Sequence, residues 1–178
     1  MKKTLPILFT LSFFLFTLIL SGCGPFWQNP FITVEPSNLN WVHIHYYNLN
    51  RKPIRRISVY LSGAGVVEVR KGTSEQVSND FAKRYDADNW GDVIVNKKEV
   101  DVKHLNDVFQ NLVNHGVLDR DKLRKHARYG TKFSRFMGVK ANINNCCYSE
   151  NDNIFEVDPD LAEVLLDVIH EYDNPLSK

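Results

Sequence analysis

The sequence predicts an α+β domain, in which a mainly antiparallel sheet carries two or three helices packed on one face. Two strand-like stretches are joined by Gly63-Ala64-Gly65, which is typical of a tight hairpin turn. Further along the chain, residues 101–115 repeat apolar side chains at the three- and four-residue steps of an amphipathic helix. Because strands that follow each other through a short turn must pair antiparallel, we expect this class rather than a doubly wound parallel sheet.

The strands are predicted from alternation of side chains. Residues 41–47 alternate β-branched and aromatic side chains, as a strand does. The hairpin is expected to join 57–62 to 66–71, and a short strand is expected at 93–95. One or two further strands are predicted at 133–144. The side chains expected on the inner faces are Ile57, Val59, Leu61, Val67, Val69, Phe136, Val139 and Ile143.

The clearest helix is predicted at 101–115. Asp101 can cap its first turn, and Gly116 stands where a left-handed stop residue is expected. A shorter helix is predicted at 120–129, with a thin apolar stripe. Between the hairpin and the first helix, residues 72–91 are polar and rich in turn residues, and they are expected to form a long loop.

A last helix is predicted to begin after Asp158. Asp158 can act as its N-cap, Pro159 suits the first helical position, and residues 173–175 stop it. The segment before it, 142–153, is dense in Asn, Ser and Asp and is expected to form turns. The predicted core face of this helix comprises Leu161, Val164, Leu165 and Val168.

The first 22 residues have the layout of a secretory signal. Lys2 and Lys3 precede an apolar run at 5–20, and small residues follow it. This run of 16 residues is short against the roughly 20 that a membrane-spanning helix needs. The motif Leu20-Ser21-Gly22-Cys23 resembles the lipobox of bacterial lipoprotein precursors. We therefore expect cleavage before Cys23.

The resemblance implies that Cys23 carries a diacylglycerol group and an N-linked acyl chain, and it implies no other cofactor. Two or three such chains hold a protein stably on a membrane, since each buried methylene contributes about 0.8 kcal/mol. Residues 23–40 are expected to form the lipidated cysteine and a tether rich in proline and aromatic residues. Its aromatic rings either lie in the membrane interface or pack on the domain. A single domain is expected at 41–175.

The same resemblance suggests where the protein lies. Gly24 follows the cysteine, and aspartate is the residue that tends to retain enteric-type lipoproteins at the inner membrane. We expect an outer-membrane protein facing the periplasm in a diderm host, and otherwise one on the outer leaflet of the cell membrane. Loss of the two signal lysines changes the net charge from +1 to −1, so a nucleic-acid partner is not expected.

His43 and His45 are the candidate metal ligands. They lie two residues apart, so on a strand both imidazoles project from the same face. A metal site needs a third ligand, which the sequence does not place beside them. The alternative is a half-exposed sheet face on which Trp41, His43, His45 and Tyr47 make cross-strand pairs.

Cys146 and Cys147 are the candidate redox residues, because lipidation uses Cys23 and an exported protein can form disulfides. Adjacent residues of an extended strand point to opposite faces, so a bridge between these two would be strained and easily reduced. The alternative is that one cysteine is a small core residue and the other an exposed thiol.

Charge is divided between two blocks. Residues 120–140 hold eight Lys or Arg and one acid, and residues 149–173 hold nine acids and no Lys or Arg. Either the two blocks complement each other across the fold, or the basic block contacts anionic lipid, an anionic glycan or an acidic envelope protein. The residues predicted to make that contact are Arg124, Lys125 and Arg128.

These observations favour a lipid-anchored envelope protein that acts as a binding or interaction module without catalysis. No nucleophile–base motif, complete metal set or cofactor loop is evident in the sequence. The alternative is an envelope enzyme or metal-binding protein that uses the face holding His43 and His45.

Overall fold

The computed structural model describes residues 32–75, 90–119, 134–149 and 153–173, and it confirms the predicted α+β class. Six antiparallel strands form one sheet in the order β4-β3-β2-β1-β5-β6. No helix in these ranges is both long and apolar enough to cross a membrane. The elements in chain order are β1 (Trp41–Asn48), β2 (Ile54–Ser62), β3 (Val66–Ser74), β4 (Gly91–Glu99), α1 (Val102–Asn114), β5 (Arg135–Ile143), β6 (Cys146–Ser149), α2 (Ile154–Val157) and α3 (Pro159–Asp173).

One face of the sheet packs against the helices and forms the apolar core. Alternate residues of β1 point to this face, and their register continues into β2 and β5. We call this the helix-facing side and the opposite surface the back face. Burying each of these apolar side chains stabilises the fold by about 1.5–3 kcal/mol. This gain keeps the apolar residues of the central strands on the helix-facing side. The core includes Val42, Ile44, Val59, Leu61, Val67, Val69, Leu105, Phe109, Leu112, Met137, Val139, Leu161 and Leu165.

The β2–β3 hairpin is confirmed, with the predicted inner faces opposite each other. Leu61 is opposite Val67, and Val59 is opposite Val69. Gly65 has a φ of 85°, which a side chain would strain. A Cβ on Gly63 would lie 2.0 Å from the backbone oxygen of Ser37, so only glycine allows this close approach.

The two long helices begin and end where the sequence predicts. The side chain of Asp101 accepts a hydrogen bond from the backbone N–H of Lys103 at the start of α1, and Gly116 follows its end with a φ of 89°. The carboxylate of Asp158 accepts a hydrogen bond from the N–H of Leu161 in α3, and the helix ends at Asp173. The helix predicted at 120–129 lies outside the described residues.

Two local predictions were wrong. Phe136 does not point into the helix-facing core with Val139 and Ile143; it lies on the back face, where its ring contacts Tyr47 at a centroid distance of 5.7 Å. Phe136 is three positions from Val139 and seven from Ile143, and residues an odd number of positions apart on a strand lie on opposite faces. The segment predicted as turns contains β6, paired with β5. The short strand predicted at 93–95 is confirmed, as part of the longer β4.

Residues 32–40, predicted as the end of a tether, belong to the folded domain. Val34 is buried in the core, and its N–H donates to the side-chain oxygen of Gln110 in α1. The amide of Asn144, in the turn between β5 and β6, both donates to Thr33 and accepts from Glu35. The domain therefore begins by residue 32 and not at 41.

Asn40 fixes this docked segment. Its side-chain N–H donates to the backbone oxygen of Glu35 at 2.7 Å, and its side-chain oxygen accepts from the N–H of Asn144 at 3.0 Å. Its backbone oxygen accepts from the N–H of Gly63 at 2.8 Å. One buried asparagine thus joins the docked segment to two turns of the sheet.

We expect Asn40→Ala to lower the free energy of unfolding by about 2 kcal/mol, because two backbone groups lose their partners in a buried position. Urea denaturation would measure the change. Asn38→Ala is the matched control, since Asn38 is exposed two residues earlier. Equal unfolding free energies for the two variants would contradict the structural role of Asn40.

Candidate functional site

The back face holds polar and aromatic side chains from four neighbouring strands. His43 of β1 lies opposite Tyr60 of β2 on one side and Lys140 of β5 on the other. His45 lies opposite Ser58. Because β1 and β2 are central in the strand order, the pleat brings these side chains together in the middle of the sheet. This surface is the candidate site.

His43 and His45 point to the same face, as predicted. Their ring centroids are 4.5 Å apart, and Nε2 of His43 is 2.7 Å from the hydroxyl oxygen of Ser58. His43 also makes an edge-on contact with the ring of Tyr60, at 5.5 Å. The alternative prediction placed both histidines on a half-exposed sheet face, whereas the His45 side chain is only 1% exposed. The two histidines therefore differ in their access to solvent.

Arg56 forms the buried end of the back face. Its side chain is 2% exposed, although arginine is seldom buried without interaction partners. The guanidinium carbon lies 4.0 Å from the centroid of the Trp90 ring and 4.8 Å from that of the Tyr47 ring. A cation between two aromatic faces is attracted to the negative potential of both rings. Arg56 thus connects β1, β2 and the residue that precedes β4.

Both histidines favour the neutral form in this setting. The pKa of His43 is lowered to about 4, chiefly by burial and next by the positive charge of Arg70. Burial also lowers the pKa of His45 well below its ordinary value, with His43 as the next cause. Lys140 and Arg56 act on both rings in the same direction, while Glu68 partly opposes them at His43. The back face therefore has a net positive field.

The opposite end of the back face is half-exposed. The rings of Trp41 and Tyr60 lie side by side, with centroids 6.2 Å apart. Glu68 accepts a hydrogen bond from Arg70 at 2.9 Å and pairs with Lys97 at 2.8 Å. Burial by itself raises the pKa of Glu68, but these hydrogen bonds outweigh it and leave the pKa below its ordinary value. Aromatic surface and paired charges thus adjoin at this end.

The two histidines are not part of a larger donor set in the described part of the chain. No group of three or more His, Cys, Asp or Glu side chains placed to hold a metal ion occurs in ranges 32–75, 90–119, 134–149 and 153–173. His104, an exposed histidine elsewhere, pairs with Glu171 at 2.7 Å. The described residues therefore supply two of the ligands that a site on His43 and His45 would need.

Cys146 and Cys147 follow each other on β6 and are not bridged to each other. Cys146 is half-buried and pairs with Ile143, while Cys147 is exposed and pairs with Asn142. The thiol of Cys147 lies 3.6 Å from the side-chain oxygen of Asn142. The two residues alternate along the strand, but Cys146 is only partly buried and does not belong to the described core, as the alternative of a small core residue would require.

The predicted surface-binding residues Arg124, Lys125 and Arg128 lie outside the described residues, as does Cys23. Of the basic block, Lys140 lies on the back face. Arg135, also in the basic block, lies on the helix-facing side, with its guanidinium carbon 4.4 Å from the centroid of the Phe155 ring. In the acidic block, described ion pairs join Asp173 to Lys71 and Glu171 to His104. These acids thus pair with residues that lie outside the basic block.

Arg56 and Trp90 were not identified from the sequence. The predicted second strand began at residue 57, so Arg56 fell outside it. The alternation of side chains could have indicated it, because Arg56, Ser58 and Tyr60 alternate with the apolar residues of β2. No comparable alternation indicated Trp90. It precedes β4, and the position of β4 in the sheet depends on the order of all the strands.

Comparison with known protein families and with curated proteins found no match to this chain.

Proposed function

We propose that this chain is a lipid-anchored, non-enzymatic binding protein of the cell envelope whose back face takes an anionic glycan. The lipobox resemblance at Leu20-Ser21-Gly22-Cys23 supports the lipid anchor and the envelope location. One observation carries the choice of ligand. The half-exposed rings of Trp41 and Tyr60 adjoin a sheet face whose field is positive.

The field has identifiable sources. Arg70, Lys140 and Arg56 each lower the pKa of His43, and Glu68 alone among the named charges raises it. A carboxylate, phosphate or sulfate brought to this face would approach Lys140 and Arg70, while Arg56 acts from a buried position and Glu68 opposes them. Complementary potentials of this kind steer a charged ligand to its site and exclude ligands of the wrong sign.

The aromatic residues select a sugar rather than a bare ion. The flat face of a pyranose carries C–H groups that pack on an aromatic ring, and indole and phenol rings offer large rigid surfaces for such packing. Trp41 and Tyr60 are tilted by 31° relative to each other, so together they form a slightly curved platform. Ring packing gives contact area, and the nearby cations give the preference for an anionic glycan.

The alternative of an enzyme or metal protein rests on His43 and His45 alone. Nε2 of His43 is already within hydrogen-bond distance of Ser58, and His45 is buried. No further observation in the described part of the chain favours a catalytic role. The basic segment with Arg124, Lys125 and Arg128 stays a proposed second contact with anionic surfaces.

Binding of the purified chain to immobilised heparin, a polyanionic glycan probe, tests the proposal, with dextran as the neutral probe. We expect retention on heparin at low salt and none on dextran. Trp41→Ala should weaken retention at least about tenfold, since tryptophan side chains dominate many binding surfaces. Lys140→Gln should weaken it and reduce its dependence on salt. Intact mass should show Cys23 as the lipidated first residue.

Leu39→Ala is the matched control, because Leu39 is an exposed apolar side chain that lies outside the back face. Its affinity for heparin should equal that of the unchanged chain. The ligand assignment fails if the unchanged chain ignores heparin at low salt, or if Trp41→Ala and Leu39→Ala bind equally well. An unmodified Cys23 would contradict the proposed lipid anchor and envelope location, but not the proposed ligand.

A further inference from the structure

The accessible part of the back face is a strip at one end of the strands. Strand register places two neighbouring rows of side chains there, and each side chain is half-exposed or exposed. The first row comprises Glu99, Val66, Ser62, Trp41, Asn142 and Cys147. The second row comprises Lys97, Glu68, Tyr60, His43 and Lys140. We call these two rows the exposed strip.

The strip ends where Trp90 covers the central strands. Beyond the second row, His45 and then Arg56 are buried. The ring of Trp90 lies over Arg56, and its centroid is 6.2 Å from that of the His45 ring. Gly72 lets the indole approach β3, because a Cβ there would lie 3.1 Å from Cε3 of Trp90. A ligand on the central strands is therefore confined to the two rows and does not run along β1 past His43.

The strip is long across the strands and short along them. Neighbouring strands lie about 4.8 Å apart, so the six strands of the sheet span about 24 Å. Two successive residues on one face of a strand are about 7 Å apart, which is the distance between the rows. A single pyranose ring, similar in size to a tyrosine ring, covers only part of such a surface. A linear chain of sugars matches both dimensions.

Charge indicates which end of the strip takes an acidic group. Of the strip residues on β1, β2, β5 and β6, Lys140 is the one that is charged at neutral pH. On β3 and β4, Glu68 and Glu99 would repel an anion, and Glu68 forms ion pairs with both Arg70 and Lys97. Complementary charge therefore favours a carboxylate, sulfate or phosphate group at the Lys140 end.

We propose that the anionic glycan lies across the strands along the exposed strip, as a chain of several sugars, with an acidic group at Lys140 and sugar rings packed on Trp41 and Tyr60. This inference rests on the proposed glycan binding and adds the direction, length and polarity of the ligand. Trp41 and Tyr60 belong to different rows of neighbouring strands, with ring centroids 6.2 Å apart near the middle of the strip. Further sugars extend from this platform towards both edges of the sheet.

Protection of thiols from alkylation, mapped by peptide mass on the purified full chain, tests the direction. Cys147 is exposed at the β6 end of the strip, and Glu99→Cys places a second thiol at the exposed β4 end. In a background with Cys146→Ser, a saturating heparin octasaccharide should slow alkylation of both thiols severalfold. A heparin disaccharide should protect at most one of them. Asp107→Cys, on the exposed side of α1, is the matched control and should react equally fast with and without ligand.

Affinities for heparin oligosaccharides, measured by calorimetry, test the length and polarity. Affinity should rise at least about tenfold from the disaccharide to the octasaccharide, which corresponds to about 1.4 kcal/mol. Lys140→Gln should weaken octasaccharide binding by a similar factor. Lys97→Gln is the matched loss of one cation at the other end of the strip, where Lys97 already pairs with Glu68. It should weaken binding by less than about threefold.

Three outcomes overturn this inference while retention on heparin persists. They are protection of only one thiol by the octasaccharide, equal affinities for disaccharide and octasaccharide, and equal losses in Lys97→Gln and Lys140→Gln. A chain that binds no heparin probe overturns both this inference and the proposed function, as does equal binding of polyglutamate, an anionic chain without sugar rings. Melting temperatures identify any variant that does not fold, and the length dependence measured on the unchanged chain then decides the question.

Discussion

Replacing Arg56 by alanine is expected to lower the free energy of unfolding by about 4 kcal/mol. The substitution removes a large side chain that is 2% exposed, and with it the stacking of its guanidinium on Trp90 and Tyr47. Large-to-small changes in buried positions cost 2–5 kcal/mol, and a desolvated cation–π contact contributes about 2 kcal/mol. Chemical denaturation at pH 7 would measure the loss.

Arg55→Ala is the control for this variant, because Arg55 is the exposed neighbour on the same strand. It should change stability by no more than about 0.5 kcal/mol. Arg56→Lys should give an intermediate loss, since lysine keeps the charge but not the planar stacking surface. If Arg56→Ala were as stable as Arg55→Ala, the stacked arginine would have no structural role.

Stability should also fall steeply as the pH drops from 6.5 to about 4. The pKa of His43 is 6.5 when unfolded and about 4 in the folded chain, so between these values the unfolded chain binds more protons. Stability is therefore highest above pH 6.5 and is lost as the pH falls towards 4. The loss from His43 is about 3 kcal/mol. The lowered pKa of His45 adds to it.

Unfolding free energies measured at intervals between pH 7 and pH 4 would test this dependence. His43→Gln should make the dependence shallower, because one of the two titrating rings is gone. His170→Gln, at an exposed position of α3, should leave it unchanged. Arg56→Ala should also flatten it, since Arg56 lowers the pKa of both histidines. An unchanged slope in His43→Gln would contradict this account.

Local patterns predicted the elements whose neighbours are close in the chain. The spacing of apolar residues in α1 was sufficient, because a helix satisfies its own hydrogen bonds and needs only one apolar side. The β2–β3 hairpin was predicted equally well, since Gly63 and Gly65 fix both the turn and the register. The shared face of His43 and His45 followed from the two-residue period of a strand.

The candidate site itself depends on contacts that local patterns do not contain. Arg56 meets Tyr47 across β1 and β2, and it meets Trp90 from a segment 34 positions further along the sequence. Nothing in the residues around position 56 specifies that β1 lies between β2 and β5, yet this order brings Lys140 beside His43. The pKa shifts follow from this assembly and not from local sequence.

The docked segment 32–40 was missed for a different reason. It shows no helical or strand period, and polar contacts of Asn40, Asn144 and Gln110 hold much of it in place. An asparagine-rich turn and a proline-containing extended segment resemble linkers in composition, since both lack apolar repeats. Their mutual hydrogen bonds decide the outcome, and those bonds join residues about 100 positions apart.

That docked segment would restrict how the domain sits on a membrane. If Cys23 carries the lipid, nine residue steps separate it from Ile32, and they span at most about 30 Å. The side chain of Gln110 in α1 hydrogen-bonds to the backbone of Ile32 and Val34, so this connection would begin on the helix-facing side. Such a connection would hold the docked segment within about 30 Å of the lipid.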